Sequence, residues 1–146
     1  KTANIEKIWQ LLMENNKSGT ILVVEDEPGV RDVAVQMLEF AGFDVIEAVD
    51  AASGLQRFKE NPQIDLVFTD VIMPGGTSGI EMSKEMLVQN PHTLILLATG
   101  YSDKAEALRD KAAHSANIAV VAKPYDINII PDLISSMISN ASTAPL

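Results

Sequence analysis

A chain of 146 residues is long enough for one domain with a real core, and 47% apolar against 21% charged residues is the balance of a globular protein rather than a disordered one. A formal charge of -9 at pH 7 argues against nucleic acid or an anionic membrane surface as a direct partner, because polyanions are held by clustered cations. Cysteine is absent, which removes disulfides, thiolate metal sites and a cysteine nucleophile and fits a cytoplasmic location. No apolar run approaches the roughly 20 residues of a membrane span, and the first residues lack the shape of a signal peptide.

Residues 1–19 read differently from the remainder. Ile5, Ile8, Trp9 and Leu12 recur at helical spacing, and Asn15-Asn16-Lys17-Ser18-Gly19 closes the pattern as a polar linker. The stripe needs cover from the domain, from an upstream helix or from a second copy of the chain; a linker ordered only by packing is the plainest reading. Thr20 to Val24 is a β-branched apolar run that stops in Glu25-Asp26-Glu27-Pro28, a strand followed at once by acids and a helix-starting proline. Val30, Val33, Ala34, Met37, Leu38 and Ala41 then keep a helical period until Gly42.

Phe43, Val45 and Ala48 alternate imperfectly with Asp44, Ile46 and Glu47, as expected of a strand at a sheet edge. Asp50 or Ser53 caps the next helix, whose small apolar face is Leu55 and Phe58, and Asn61-Pro62 ends it. Ile64 to Thr69 is a strand buried on both faces, with Asp70 at its carboxyl end and a Pro74-Gly75-Gly76 breaker beyond. Ile80, Met82, Met86 and Leu87 mark a third helix that ends near Asn90-Pro91. Thr93 to Ala98 is a further buried strand, ending in Thr99-Gly100-Tyr101.

Ser102 or Asp103 caps a helix whose apolar face is alanine apart from Leu108, so it buries little area and should be weakly held. Ile118 to Ala122 is the last strand, closed by Lys123-Pro124-Tyr125. Ile130, Leu133, Ile134, Met137 and Ile138 form the final helix, which should begin close to Pro131. Five strands alternating with five helices specify an α/β fold, a doubly wound parallel sheet with its site at the strand carboxyl ends. The divisions expected are an extension over 1–19, a domain over 20–140 and a short tail over 141–146.

In that layout Glu25, Asp26, Asp70, Thr99 and Lys123 fall at the carboxyl ends of strands one, three, four and five. Taken singly, each has a routine explanation: Asp70 caps a turn, Glu25 and Asp26 start a helix, Thr99 ends a strand and Lys123 is solvated. Together they make chemistry. Three carboxylates repel unless a cation joins them, and magnesium prefers such oxygens and accepts a phosphate oxygen besides. With Lys123 as a point charge and the Thr99 hydroxyl as a donor, the set suits an aspartyl phosphate formed by attack of Asp70 on phosphorus.

The acid pair in Ile21-Leu22-Val23-Val24-Glu25-Asp26-Glu27-Pro28, the stretch Asp70-Val71-Ile72-Met73-Pro74, the threonine in Ala98-Thr99-Gly100-Tyr101 and Lys123-Pro124-Tyr125 resemble the response-regulator receiver domains of two-component signalling. The resemblance covers residues 20 to about 140. It implies a flavodoxin-like (βα)5 sheet in the order 2-1-3-4-5, with Asp70 as phosphoacceptor from a phosphohistidine on a histidine kinase or histidine phosphotransfer domain. It also implies that Asp26, Asp70 and the backbone carbonyl of Ile72 bind Mg2+ directly, Glu25 mostly through water, that Thr99 and Lys123 contact the phosphoryl group, and that Lys123-Pro124 is cis.

Three departures stand out. Gly79 falls one residue later than is commonest. Val120 occupies the position that often holds an aromatic switch residue, leaving open whether Tyr101 or Tyr125 substitutes. The glycine usual before the fifth strand is missing from Ala113-His114-Ser115-Ala116-Asn117.

A phosphorylation-independent interaction domain is the alternative. A less favoured one is an aspartate-nucleophile phosphatase, which would need a second aspartate where Ile72 stands. A flavin-binding domain is disfavoured by acids after strand one. His92 and His114 read as solvated. The extension and the glycine-rich loop look more like the receiver segment of a hybrid sensor histidine kinase than a stand-alone regulator, and dimerisation is left open.

Overall fold

The computed structural model describes residues 4–9, 18–73, 75, 77–100, 102–113 and 115–143. Five parallel strands form one sheet: β1 (Thr20–Val24), β2 (Asp44–Ala48), β3 (Leu66–Asp70), β4 (Leu94–Thr99) and β5 (Ile118–Ala122). Their spatial order is β2-β1-β3-β4-β5, the doubly wound order expected. Between and after them run α1 (Pro28–Ala41), α2 (Ala51–Glu60), α3 (Gly79–Gln89), α4 (Ser102–Ala112) and α5 (Ile130–Thr143).

Alternation of side chains along each strand divides the core into two layers. Leu22, Val24, Val67, Ile95, Leu97 and Val120 face α2, α3 and α4, where Phe58, Met82 and Met86 meet them. Ile21, Val23, Leu66, Phe68, Leu96 and Ala98 face α1 and α5, against Leu38, Ile130 and Ile134. Burying one such aliphatic side chain contributes roughly 1.5–3 kcal/mol, so the inner strands, apolar on both faces, anchor the molecule. The outer strand β2 carries exposed Asp44 and Glu47, which explains its imperfect alternation.

Local signals set the helix ends. Gly42 takes a left-handed φ of 108°, and its N–H bonds back to the last turn of α1. Asp50 and Ser53 cap α2 jointly: the Ser53 N–H donates to Asp50 Oδ1 at 2.8 Å and the Asp50 N–H to Ser53 Oγ at 3.2 Å. Pro131 is the second residue of α5, where its missing N–H breaks no helical bond.

Some boundaries differ from the sequence reading. β3 and β4 each begin and end later than the apolar runs suggest, and at their carboxyl ends the parallel pairs Asp70 with Ala98 and Thr99 with Ala122 carry the ladder past those runs. Ser102 is helical rather than preceding the helix, and α5 continues to Thr143, three residues past the expected domain end. On α1, Val33 is 53% exposed while Val35 is buried, so the inward face lies off the stripe read from the sequence. Residues 4–9 are helical with Ile5, Ile8 and Trp9 exposed, and no described residue of the domain covers them. Leu12 and most of the linker lie outside the described residues.

Candidate functional site

The parallel registers bring the ends of β1, β3, β4 and β5 to one edge of the layer. There Lys123 Nζ donates to Asp70 Oδ2 at 2.9 Å and to Glu25 Oε1 at 3.3 Å. Ligand oxygens from Glu25, Asp26 and Asp70 all lie within 4.8 Å of one another. Residues up to 98 positions apart in the chain are thus in hydrogen-bond contact. The Lys123-Pro124 bond is cis, as expected.

The main chain around these side chains is held closely. Val71 N–H donates to the Ala98 carbonyl at 3.0 Å, and Lys123 N–H to the Thr99 carbonyl at 2.7 Å, so strand pairing continues to the site itself. Gly79 N–H donates to the Val71 carbonyl at 2.8 Å and brings the start of α3 against Asp70. A Cβ at Gly79 would overlap the Asp70 carbonyl oxygen, so glycine is required there. The sequence marked Gly79 only by its spacing from Pro74.

Glu25 is buried, and burial pushes its carboxyl pKa up; the charge of Lys123 pulls against this, while the Asp26 hydrogen bond and the Asp70 charge add to the rise. For Lys123, burial alone lowers the ammonium pKa, but its hydrogen bond and charge interaction with Asp70, then those with Glu25, outweigh it and the net shift is upward. One lysine therefore bridges two carboxylates but offsets only one of their charges, and with Asp26 the cluster keeps an excess of negative charge. The side-chain donors gathered here, all carboxylate oxygens, are those of a hard divalent cation, and magnesium fits them.

Asp26, Asp70, Ile72 and Lys123 line an open cleft of about 560 Å³ together with Glu27 and Gly100. Thr99 stands at the end of β4, buried, with no hydrogen bond from its hydroxyl to the acids or to Lys123 among the described residues. Four of the five side chains are therefore gathered at the cluster and the fifth is poised beside it. Val120 packs in the α2/α3/α4 layer, whereas Tyr125 belongs to the α1/α5 layer, its ring 5.5 Å from that of Phe68. Tyr125 accordingly does not replace an aromatic ring at position 120. Burial raises the Tyr125 phenol pKa, with Lys123 opposing. Pro74, Tyr101 and His114 fall outside the described residues, and His92 is exposed.

Residues 21–135 match the response regulator receiver domain family. The response regulator receiver protein CpdR of Brucella abortus is 30% identical over 118 residues, covering 81% of this chain and 95% of that protein. Sensor kinase CckA of the same species is 28% identical over 139 residues, 94% of this chain but 14% of the kinase. A cyclic di-GMP phosphodiesterase of Thermotoga maritima is 31% identical over 111 residues, 76% of this chain and 28% of that protein, so the chain spans less than a third of these two relatives. Among solved structures, the response regulator TrrA of Thermotoga maritima, in complex with Mg2+-BeF, superposes with a TM-score of 0.70 at 28% identity, over 82% of this chain and 98% of that one.

Proposed function

The chain belongs to the response regulator receiver domains, and from that premise we propose that it accepts a phosphoryl group on Asp70 from a phosphohistidine of a histidine kinase or phosphotransfer domain. The observation that carries the reading is the bridge from Lys123 to Asp70 and Glu25 beside the clustered oxygens of Asp26. A carboxylate oxygen of Asp70 attacks phosphorus, the phosphorus–nitrogen bond breaks, and the imidazole leaves with its electron pair. Lys123 already lies within hydrogen-bond reach of Asp70, so its charge is in place to meet the phosphoryl oxygens without crossing the cleft. Thr99 supplies a hydroxyl donor to the same group.

Glu25, Asp26 and Asp70, with the carbonyl of Ile72, would hold Mg2+, which supplies positive charge to the transferring phosphoryl group. TrrA, caught with Mg2+-BeF, supports that assignment by its similarity to this chain. The side chain of Ile72, 56% exposed, stands two residues after the nucleophile and can neither give nor take a proton, which disfavours turnover of an external phosphate ester. Alignment with CckA across 94% of the chain supports a place in a larger sensor kinase, with residues 1–19 as a helical extension and 20–140 as the receiver.

The test is labelling by acetyl phosphate followed by intact mass, with and without Mg2+, for the wild type and Asp70→Asn. A Mg2+-dependent phosphoryl adduct that is absent from the variant is the expected result. An adduct of equal yield in Asp70→Asn would overturn the assignment of Asp70.

A further inference from the structure

Arg31 is a mostly buried cation beside the acid cluster with no part in the chemistry above. Its side chain, 16% exposed, makes two contacts: Nη1 donates to the backbone carbonyl of Glu25 at 2.9 Å, and Nε lies 3.3 Å from Glu47 Oε1. Among the described residues it forms no ion pair with the carboxylates of Glu25, Asp26 or Asp70. Glu47 belongs to β2, and its neighbour Ala48 accepts the Glu25 N–H at 3.1 Å. The end of β2 therefore grips the Glu25 main chain from both sides, directly at the nitrogen and through Arg31 at the carbonyl. That carbonyl is part of the peptide joining Glu25 to Asp26. Rotating this peptide turns the Asp26 side chain.

We infer that Arg31, locked by Glu47, is a positioning residue for the metal-binding acids: it fixes the Glu25–Asp26 peptide so that Asp26 faces Asp70. The inference rests on the metal-dependent reading of the site. A guanidinium on a carbonyl is a charge-assisted bond with a rigid fork, and lysine does not reproduce both of its contacts at once. Charge and position predict opposite signs for its removal. By Coulomb's law alone, deleting a cation near the cluster tightens binding of Mg2+. Loss of orientation weakens it, and hydrogen bonds behind metal ligands commonly carry 10–100-fold in affinity.

The experiment measures Mg2+ affinity by calorimetric titration for the wild type, Arg31→Met and Arg31→Lys, with thermal melts in the absence of metal to confirm folding. Arg31→Met is expected to bind Mg2+ about tenfold more weakly. Arg31→Lys, which keeps the charge, should also lose affinity, whereas an account from charge alone leaves it at the wild-type value. Acetyl phosphate labelling of both variants should be slow at low Mg2+ and recover when Mg2+ is saturating. Unchanged or tighter Mg2+ binding in Arg31→Met, or in Arg31→Lys where the first variant does not fold, would overturn the inference, as would a labelling defect that persists at saturating Mg2+. Failure of the wild type to bind Mg2+ would instead overturn the reading of the site on which it rests.

Discussion

Lys123 separates two carboxylates that would otherwise face each other with no cation between them. Replacing it with methionine leaves Asp70 and the buried Glu25 uncompensated, and the expected loss is about 1–2 kcal/mol in urea unfolding without metal, since the site is only part-buried. Added Mg2+ should shrink the difference, because a second cation then answers the same charges. The sign with pH follows from the raised pKa of Lys123: between neutral pH and the ordinary lysine value of 10.5 its pairing contributes fully, and it is lost as pH rises through the higher folded value. Wild type and Lys123→Met should therefore converge in strongly alkaline solution, and they should also draw together in acid, where Glu25, its carboxyl pKa raised by burial, takes up a proton and its pairing with Lys123 is lost. Gly79 acts sterically rather than electrically. Gly79→Ala must displace α3 or the Asp70 carbonyl, and about 1–3 kcal/mol of destabilisation together with slower acetyl phosphate labelling is expected.

At the scale of elements, α2 depends on its cap. Asp50→Ala should cost about 1 kcal/mol by urea unfolding at neutral pH. Hydrogen bonds from the Ser53 side chain and backbone lower the Asp50 pKa, so this contribution is present above the unfolded carboxyl value and falls away as pH drops through the folded one. Unfolding at pH 3 and pH 7 should show the variant closer to wild type in acid. On the other side of α3, α4 presents Leu108 and Ala112, and a cavity of about 220 Å³ lies between the two helices with Leu97 and Ile118 among its lining residues. Arg109 Nε donates to the Val120 carbonyl at 3.2 Å and ties α4 to β5. Amide hydrogen exchange should be faster in α4 than in α1, whose Leu38 is fully buried. Glu25, Asp26, Asp70 and Lys123 were legible in the sequence because each interrupts or follows an apolar run at a strand end. Arg31 was not, since it acts on a backbone carbonyl and leaves no pattern of hydropathy, and Gly79 was marked by its spacing alone, since it acts through an absent side chain. The hydropathy stripe of α1 includes Val33, yet the helix turns it to solvent, because rotation of a helix is set by the sheet beneath it.

For the whole molecule, Trp9 is the single tryptophan and is 65% exposed. Its emission should be that of a solvated indole, unmoved by Mg2+, and should shift only when a partner covers the face formed with Ile5 and Ile8. The acids of the cluster hang from the central strands β1 and β3, whereas Lys123 hangs from β5 at the rim of the sheet. If the rim peels away, its ammonium departs with it, and the acids remain face to face on the unbroken centre. Their mutual repulsion is relieved by reclosing the rim, or equally by an ion that never left. Frequency of opening at the periphery is thereby made a function of ionic composition at the interior, and Mg2+ should change exchange of the Lys123 amide more than that of any amide in β1. Cation occupancy would be felt across the intervening β4 as a change in the stiffness of the outermost strand.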